Sequence, residues 1–188
     1  MTRAYRRDPI PHEVLARVVS AGQRAPSAGN AQGFAFVVLE GADTAKYWDV
    51  TMPDRSGFGF PGLLDAPALV LVLAHAATYV ARYAEPDKAA TGLGESADRW
   101  PVPYWIVDAS FAAMLIQLAA IDEGLGVLFF GPFDDSDAVL RALNVPEGYE
   151  AIGTIAIGYR DESRDSRAGT SASRARRSAD DVTHWGGW

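Results

Sequence analysis

The stretch Ile106–Ile121 constrains this chain most. It is apolar except where Asp108 and Gln117 interrupt it, and it runs straight into Asp122-Glu123-Gly124. A membrane span needs about 20 clean apolar residues. A shorter run broken by a carboxylate and closed by glycine reads as the central helix of a globular core. The pattern predicts a helix over Tyr104–Glu123 with Gly124 as its C-cap, and no membrane span. A chain of 188 residues, 48% of them apolar, is enough to wrap one core around such a helix and suits a single domain. There is no cysteine, which excludes disulfides, thiolate metal sites and a cysteine nucleophile and fits a cytoplasmic location.

Other segments supply the partners of that helix. Val14, Leu15, Val18 and Val19 lie on one face of a helix expected over His12–Arg24, which Ala25-Pro26 stops. Ser27-Ala28-Gly29-Asn30 is turn chemistry. Buried strands are expected at Phe34–Leu39, Ala66–His75, Val127–Phe130 and Ala151–Tyr159, the second of them central. Short helices are expected at Ala42–Val50, Ala76–Ala84 and Asp134–Leu143, the last capped by Asp134 or Asp135. Residues 85–103 form a long polar connection, of a length that usually serves function.

Charge is unevenly spread. Residues 1–7 hold three arginines and no acid, and 160–177 hold six arginines against Asp161, Glu162 and Asp165. Between them, residues 8–159 carry 19 acids and 8 bases, a net of 8 − 19 = −11. An acidic body with basic ends disfavours nucleic acid, yet converging arginines would suit a small anion. Residues 160–177 lack apolar periodicity, but Val182, Trp185 and Trp188 follow, and terminal tryptophans call for burial. An arm that docks, on this or another subunit, accounts for both. His12 and His75 have no nearby catalytic or metal partner, and Asp134, Asp135 and Asp137 read as an acidic first turn. Zinc and calcium spacings and GxSxG are absent.

The segment Ala25-Pro26-Ser27-Ala28-Gly29-Asn30-Ala31-Gln32-Gly33-Phe34 resembles the APSxxNxQPW segment of the nitroreductase family, including its place between a helix and a strand. Arg3-Ala4-Tyr5 is similar to the second half of that family's RRSxRxF motif. Asp108–Gly131 is similar to its long helix, GLG turn and short strand, and Glu147-Gly148-Tyr149 through Gly158-Tyr159 to its PEGY…ALGY strand. Arg174 to His184 looks like its KxRxP…EVVH ending. The resemblance implies an α+β fold, with a mixed, largely antiparallel sheet packed between helices. It implies a homodimer with FMN held between the subunits. Residues 1–159 would form the FMN-binding domain, and 160–188 an arm crossing to the partner and adding to its sheet.

By the same resemblance, Arg3, Arg174 and Arg176 would meet the FMN phosphate. Pro26, Ser27, Ala28 and Asn30 would line the ribityl chain and ring, and Phe130-Gly131 would bring a backbone N–H to flavin N5. Tyr104 and Trp105 are candidate stacking residues of the substrate pocket. The implied reaction is ping-pong: NADH or NADPH gives hydride to N5, and a nitro, quinone or enone acceptor takes electrons in turn. The chemistry rests on the flavin, so no side chain is expected as catalytic acid or base and no metal is called for. Phe130 stands where the family often has an acid, which would make the pocket more apolar. The chain begins inside the N-terminal motif, Met1 standing at its serine. Gly59 and Gly62 stand where many relatives carry Asn and Lys against the pyrimidine edge. Two alternatives stay open: a flavin-destroying enzyme like the 5,6-dimethylbenzimidazole synthases, whose RRDVRRF motif is also similar, and a non-redox flavin or deazaflavin carrier.

Overall fold

Four antiparallel strands set the frame of the computed structural model, which describes residues 1–131, 136–165 and 173–188. They are β1 (Phe34–Glu40), β2 (Ala68–His75), β3 (Gly126–Phe130) and β4 (Tyr149–Gly158), ordered β1-β2-β4-β3. No parallel pair occurs among these strands, so any mixed character would need a strand from elsewhere. The helices are α1 (His12–Gly22), α2 (Thr44–Thr51), α3 (Ala76–Tyr83), α4 (Tyr104–Asp122) and α5 (Ser136–Ala142). Each expected element exists in its expected order, with ends moved by a few residues. The proposed capping residues of α5, Asp134 and Asp135, lie outside the described residues, while Asp137 sits in its first turn.

β2 explains the layering. Its side chains alternate, and both faces are buried. Ala68, Val70, Val72 and Ala74 face a cluster with Leu15 and Val18 of α1 and Ala113 and Ile116 of α4. Leu69, Leu71 and Leu73 face a second cluster with Tyr47 and Trp48 of α2 and Val139 of α5. The period of two thus divides one strand between two helical layers. β1 is an edge strand, only half-buried along most of its length, and its outer side makes no backbone hydrogen bonds with the described residues.

α4 is two-faced, although nearly all its residues are apolar. Asp108, Ala109, Ala112, Ala113, Ile116 and Ala120 are buried. α1 approaches closely at Gly22, where a Cβ would lie 2.8 Å from Ile116 Cγ1. Gly124, at φ 76°, closes the helix as expected. By length and composition α4 could cross a membrane, but this buried face packs on α1 and the sheet as a core helix does. The opposite face leaves Phe111, Met114, Leu118 and Ile121 about half exposed.

The 85–103 connection is folded rather than open. It holds two short 3-10 turns, Ala89–Thr91 and Ala97–Arg99. Trp100, 8% exposed, anchors it: its Nε1 donates to Leu93 O at 2.9 Å and its ring meets those of Tyr79 and Tyr83. At the C-terminus, Trp185 and Trp188 are almost fully exposed, so the burial they call for is not met within one chain.

Ile116 is fully buried where α1, α4 and the sheet meet. Ile116→Ala should lower unfolding free energy by about 2–4 kcal/mol, read as a lower urea midpoint at unchanged slope.

Candidate functional site

The turn after α1 is held from beneath. Gly29 and Asn30, at φ 60° and 56°, take the left-handed conformation that these residue types tolerate, and Gln32 joins them at 54°. Part of the turn's polarity is spent on itself. The Gln32 N–H donates to Ser27 Oγ at 2.9 Å, and Gln32 Nε2 donates to Asn30 Oδ1 at 3.2 Å. The Ala28 N–H donates to Asp108 Oδ2 of α4 at 2.8 Å, and Arg82 Nε of α3 donates to the Gly29 carbonyl at 2.8 Å. Those two backbone groups are therefore engaged by the protein. The Ser27 hydroxyl proton and the Asn30 side-chain amide remain to meet a ligand, beside the exposed Pro26 ring.

Tyr79 braces the same place. Its hydroxyl donates to Asp108 Oδ2 at 2.8 Å. Burial first, then that bond, raise the phenol well above the ordinary tyrosine range, so it stays a donor. A Cβ on Gly33 would fall 2.4 Å from the Tyr79 ring, which explains a glycine there.

A second site forms where the N-terminal segment threads past the sheet. Thr2 N–H donates to Val127 O, Tyr5 N–H to Gly62 O and Arg6 N–H to Tyr159 O. Residues 160–165 lock over this segment. Arg164 donates to Asp161, Asp65 and the Tyr5 carbonyl, and Asp165 accepts from Arg160 and from the Arg3 N–H. The Asp161 carboxyl is lowered to about 2, chiefly by its bond from Ser163 and then by Arg164. Arg3, Ala4, Gly59, Phe60, Pro61, Gly62 and Arg164 line a cavity of about 320 Å³. The Arg164 charge is satisfied by carboxylates. The Arg3 guanidinium has no carboxylate partner among the described residues and lies 5.3 Å from the Phe60 ring centre.

The other expected residues fall in several places. Arg174 and Arg176 are exposed on the terminal segment and make no contact with Arg3 among the described residues. The Phe130 ring stacks on Trp48 (5.9 Å, 7° between planes) and meets the Tyr47 edge. Strand alternation turns the ring toward α2, among the residues packed on the second core cluster. Gly131 is exposed and open, with nothing within 4 Å of an added Cβ. Trp105 is partly buried against Tyr79 and Trp100, whereas Tyr104 is 41% exposed.

Sequence reasoning missed Asp108 and Arg164. Asp108 looked like a mere interruption of an apolar helix, and an unexplained carboxylate inside such a run was the available signal. Arg164 was lost in a segment read as tail.

The two sites lie toward opposite ends of α4. The turn is tied to Asp108 near its start, and Thr2 to Val127, just past its end at Asp122. The fourteen helical residues between Asp108 and Asp122 span about 21 Å.

Residues 1–159 match the profile of the nitroreductase family. The chain belongs to the nitroreductase family. Among its relatives, an Archaeoglobus fulgidus protein provisionally named NADH dehydrogenase/NAD(P)H nitroreductase is 26% identical over 87% of this chain and 82% of its own length. The 5,6-dimethylbenzimidazole synthase of Rhodospirillum rubrum is 28% identical over 84% of this chain and 76% of its own. A nitroreductase-like fold from Exiguobacterium sibiricum 255-15, solved in complex with FMN, superposes at a TM-score of 0.75 with 16% identity, covering 98% of this chain and 91% of that one.

Gly62 in this nitroreductase-family chain has a reason of its own. A Cβ there would lie 2.6 Å from Ala4 Cβ and 2.8 Å from Ala4 Cα, whereas a Cβ on Gly59 would meet nothing within 4 Å. Gly62→Ala should therefore cost about 1–3 kcal/mol of stability, and Gly59→Ala less than about 0.5 kcal/mol, measured by thermal and denaturant unfolding.

Proposed function

We propose that this protein is an FMN-dependent NAD(P)H oxidoreductase acting as a homodimer, with each flavin held by residues of both subunits. The observation that carries the reading is the cavity at Arg3. A cation without a carboxylate partner faces a rim built of Gly59 and Gly62, with one flat apolar side chain beside it. Those features fit the anionic and polar parts of a flavin nucleotide. The Ser27 hydroxyl and Asn30 amide supply further donors at the turn. When bound, FMN supplies the redox chemistry, taking a hydride from NADH or NADPH and passing electrons to a nitro, quinone or enone acceptor. The chain's own part is to hold, orient and shield, and no side chain is assigned as acid or base.

The separation of the two sites along α4 supports dimerisation. In one chain they lie about 21 Å apart along the helix, but a two-fold axis near the middle of that helix would bring the Arg3 end of one subunit against the 26–30 turn of the other. The outward face of α4 supports such an axis. Tyr104, Phe111 and Leu118 are seven residues apart, as are Met114 and Ile121, and all five are 41–56% exposed. An unpaired stripe of that spacing suits a helix-to-helix seam. With residues 160–165 tied to their own chain, the terminal residues 173–188 would then act as the crossing arm. The outer side of β1 offers an unpaired edge for it, and Trp185 and Trp188 gain the burial they lack in one chain. Arg174 and Arg176 on that arm would complete the phosphate site.

The 28% identity to a 5,6-dimethylbenzimidazole synthase supports a second reading, in which the flavin itself is consumed. One measurement separates the readings: an anaerobic spectrum of the purified protein before and after NADH or NADPH. Prompt bleaching of the flavin bands is expected. Slow flavin loss in oxygen favours consumption, and bound flavin inert to both nucleotides favours a carrier. Failure to take up added FMN overturns the proposal.

The seam carries its own prediction. Leu118→Glu should convert the dimer to monomer in sedimentation and, by separating the two halves of each site, weaken FMN binding about tenfold or more.

A further inference from the structure

A carboxylate at the core-facing start of an apolar helix needs a reason. Asp108 is 3% exposed, and no cation lies within ion-pair distance of it among the described residues. Burying an ionised carboxylate without a counter-charge is costly unless strong hydrogen bonds offset it. It receives two, both on the same oxygen: the Ala28 N–H at 2.8 Å and the Tyr79 hydroxyl at 2.8 Å. Tyr79 is itself fully buried, wedged edge-on to Trp100 and against Gly33. The carboxylate therefore has one fixed acceptor position, set by a rigid helix and a locked ring, and the turn hangs from it. From the other side Arg82 holds the Gly29 carbonyl, and its guanidinium grips Asp87 with two bonds of 2.8 Å.

We propose that Asp108 is the positioning residue of the ligand-binding turn: through the Ala28 N–H it holds Ser27 and Asn30 in the geometry that meets the flavin. This rests on the FMN reading above. Asp108 does not touch the ligand. It fixes the main chain from which the two free polar side chains project, so the turn needs no reordering when ligand arrives. Left-handed backbone at Gly29, Asn30 and, after right-handed Ala31, at Gln32 is strained at the glutamine, and such a turn persists only when its surroundings over-determine it.

The test compares Asp108→Leu, Asp108→Asn and Ala28→Pro by FMN titration and by amide hydrogen exchange of residues 25–34 in flavin-free protein. Asp108→Leu should weaken FMN binding about tenfold or more and speed exchange across the turn by a similar factor. Asp108→Asn should return both to within about threefold of wild type, because one carbonyl oxygen can accept both bonds. Ala28→Pro removes the same bond from its donor side without touching the core, at a helix-start position that tolerates proline, and should match Asp108→Leu in FMN affinity. It keeps the question open to measurement if the leucine variant fails to fold. Wild-type affinity in folded Asp108→Leu or in Ala28→Pro overturns the proposal, as does an asparagine variant as weak as the leucine one. If wild-type protein takes up no FMN, the functional reading fails instead, and exchange alone decides whether Asp108 holds the turn.

Discussion

The rigidity of α4 governs everything else here. A hydrogen-bonded helix of 19 residues does not bend to bring its ends together. It keeps the Arg3 cavity and the 26–30 turn apart in each chain. Its small-residue face takes the close approach of α1 and the sheet, while its large-residue face is left to water. Both facts come from one alternation, alanines inward and Phe111, Met114 and Leu118 outward. Fold and proposed assembly are thus two readings of the same helix.

The two ends of α4 are built by different means. At the start, the turn is secured by a single buried acceptor and a cation clamp, so its geometry follows from two rigid helices. At the far end, a mesh of arginines and carboxylates ties residues 2–7 to Asp65 and to residues 160–165. Its arginines reach solvent, while its carboxylates Asp65 and Asp165 are only 10% and 3% exposed. Backbone bonds from Tyr5 to Gly62 and from Arg6 to Tyr159 order the same segment. Among the described residues Arg7, Arg160 and Arg164 are each matched by a carboxylate, whereas Arg3 is not.

Much of the architecture was legible in the sequence. Apolar periodicity located α1, β2 and α4, and Gly124 ended α4 as its chemistry requires. The turn residues Ser27–Asn30 were readable because glycine and asparagine announce left-handed backbone. Three things were not. The direction of the Phe130 ring depends on strand register, since a shift of one residue reverses the face. The attachment of residues 160–165 rests on long-range ion pairs that leave no local pattern, so Arg164 read as tail. Asp108 could be noticed but not explained, because both its donors, Ala28 and Tyr79, are far away in the chain.

The open side of β1 has a meaning for the life of the newly made chain. Seven residues with no proline and a single charge, Glu40, at one end present an unguarded ladder of amides and carbonyls. Until something caps it, a solitary subunit is a template for promiscuous strand addition, and crowding during synthesis favours the wrong partner. Quick capture by a sister chain would therefore be a safeguard against clumping as well as a step toward activity.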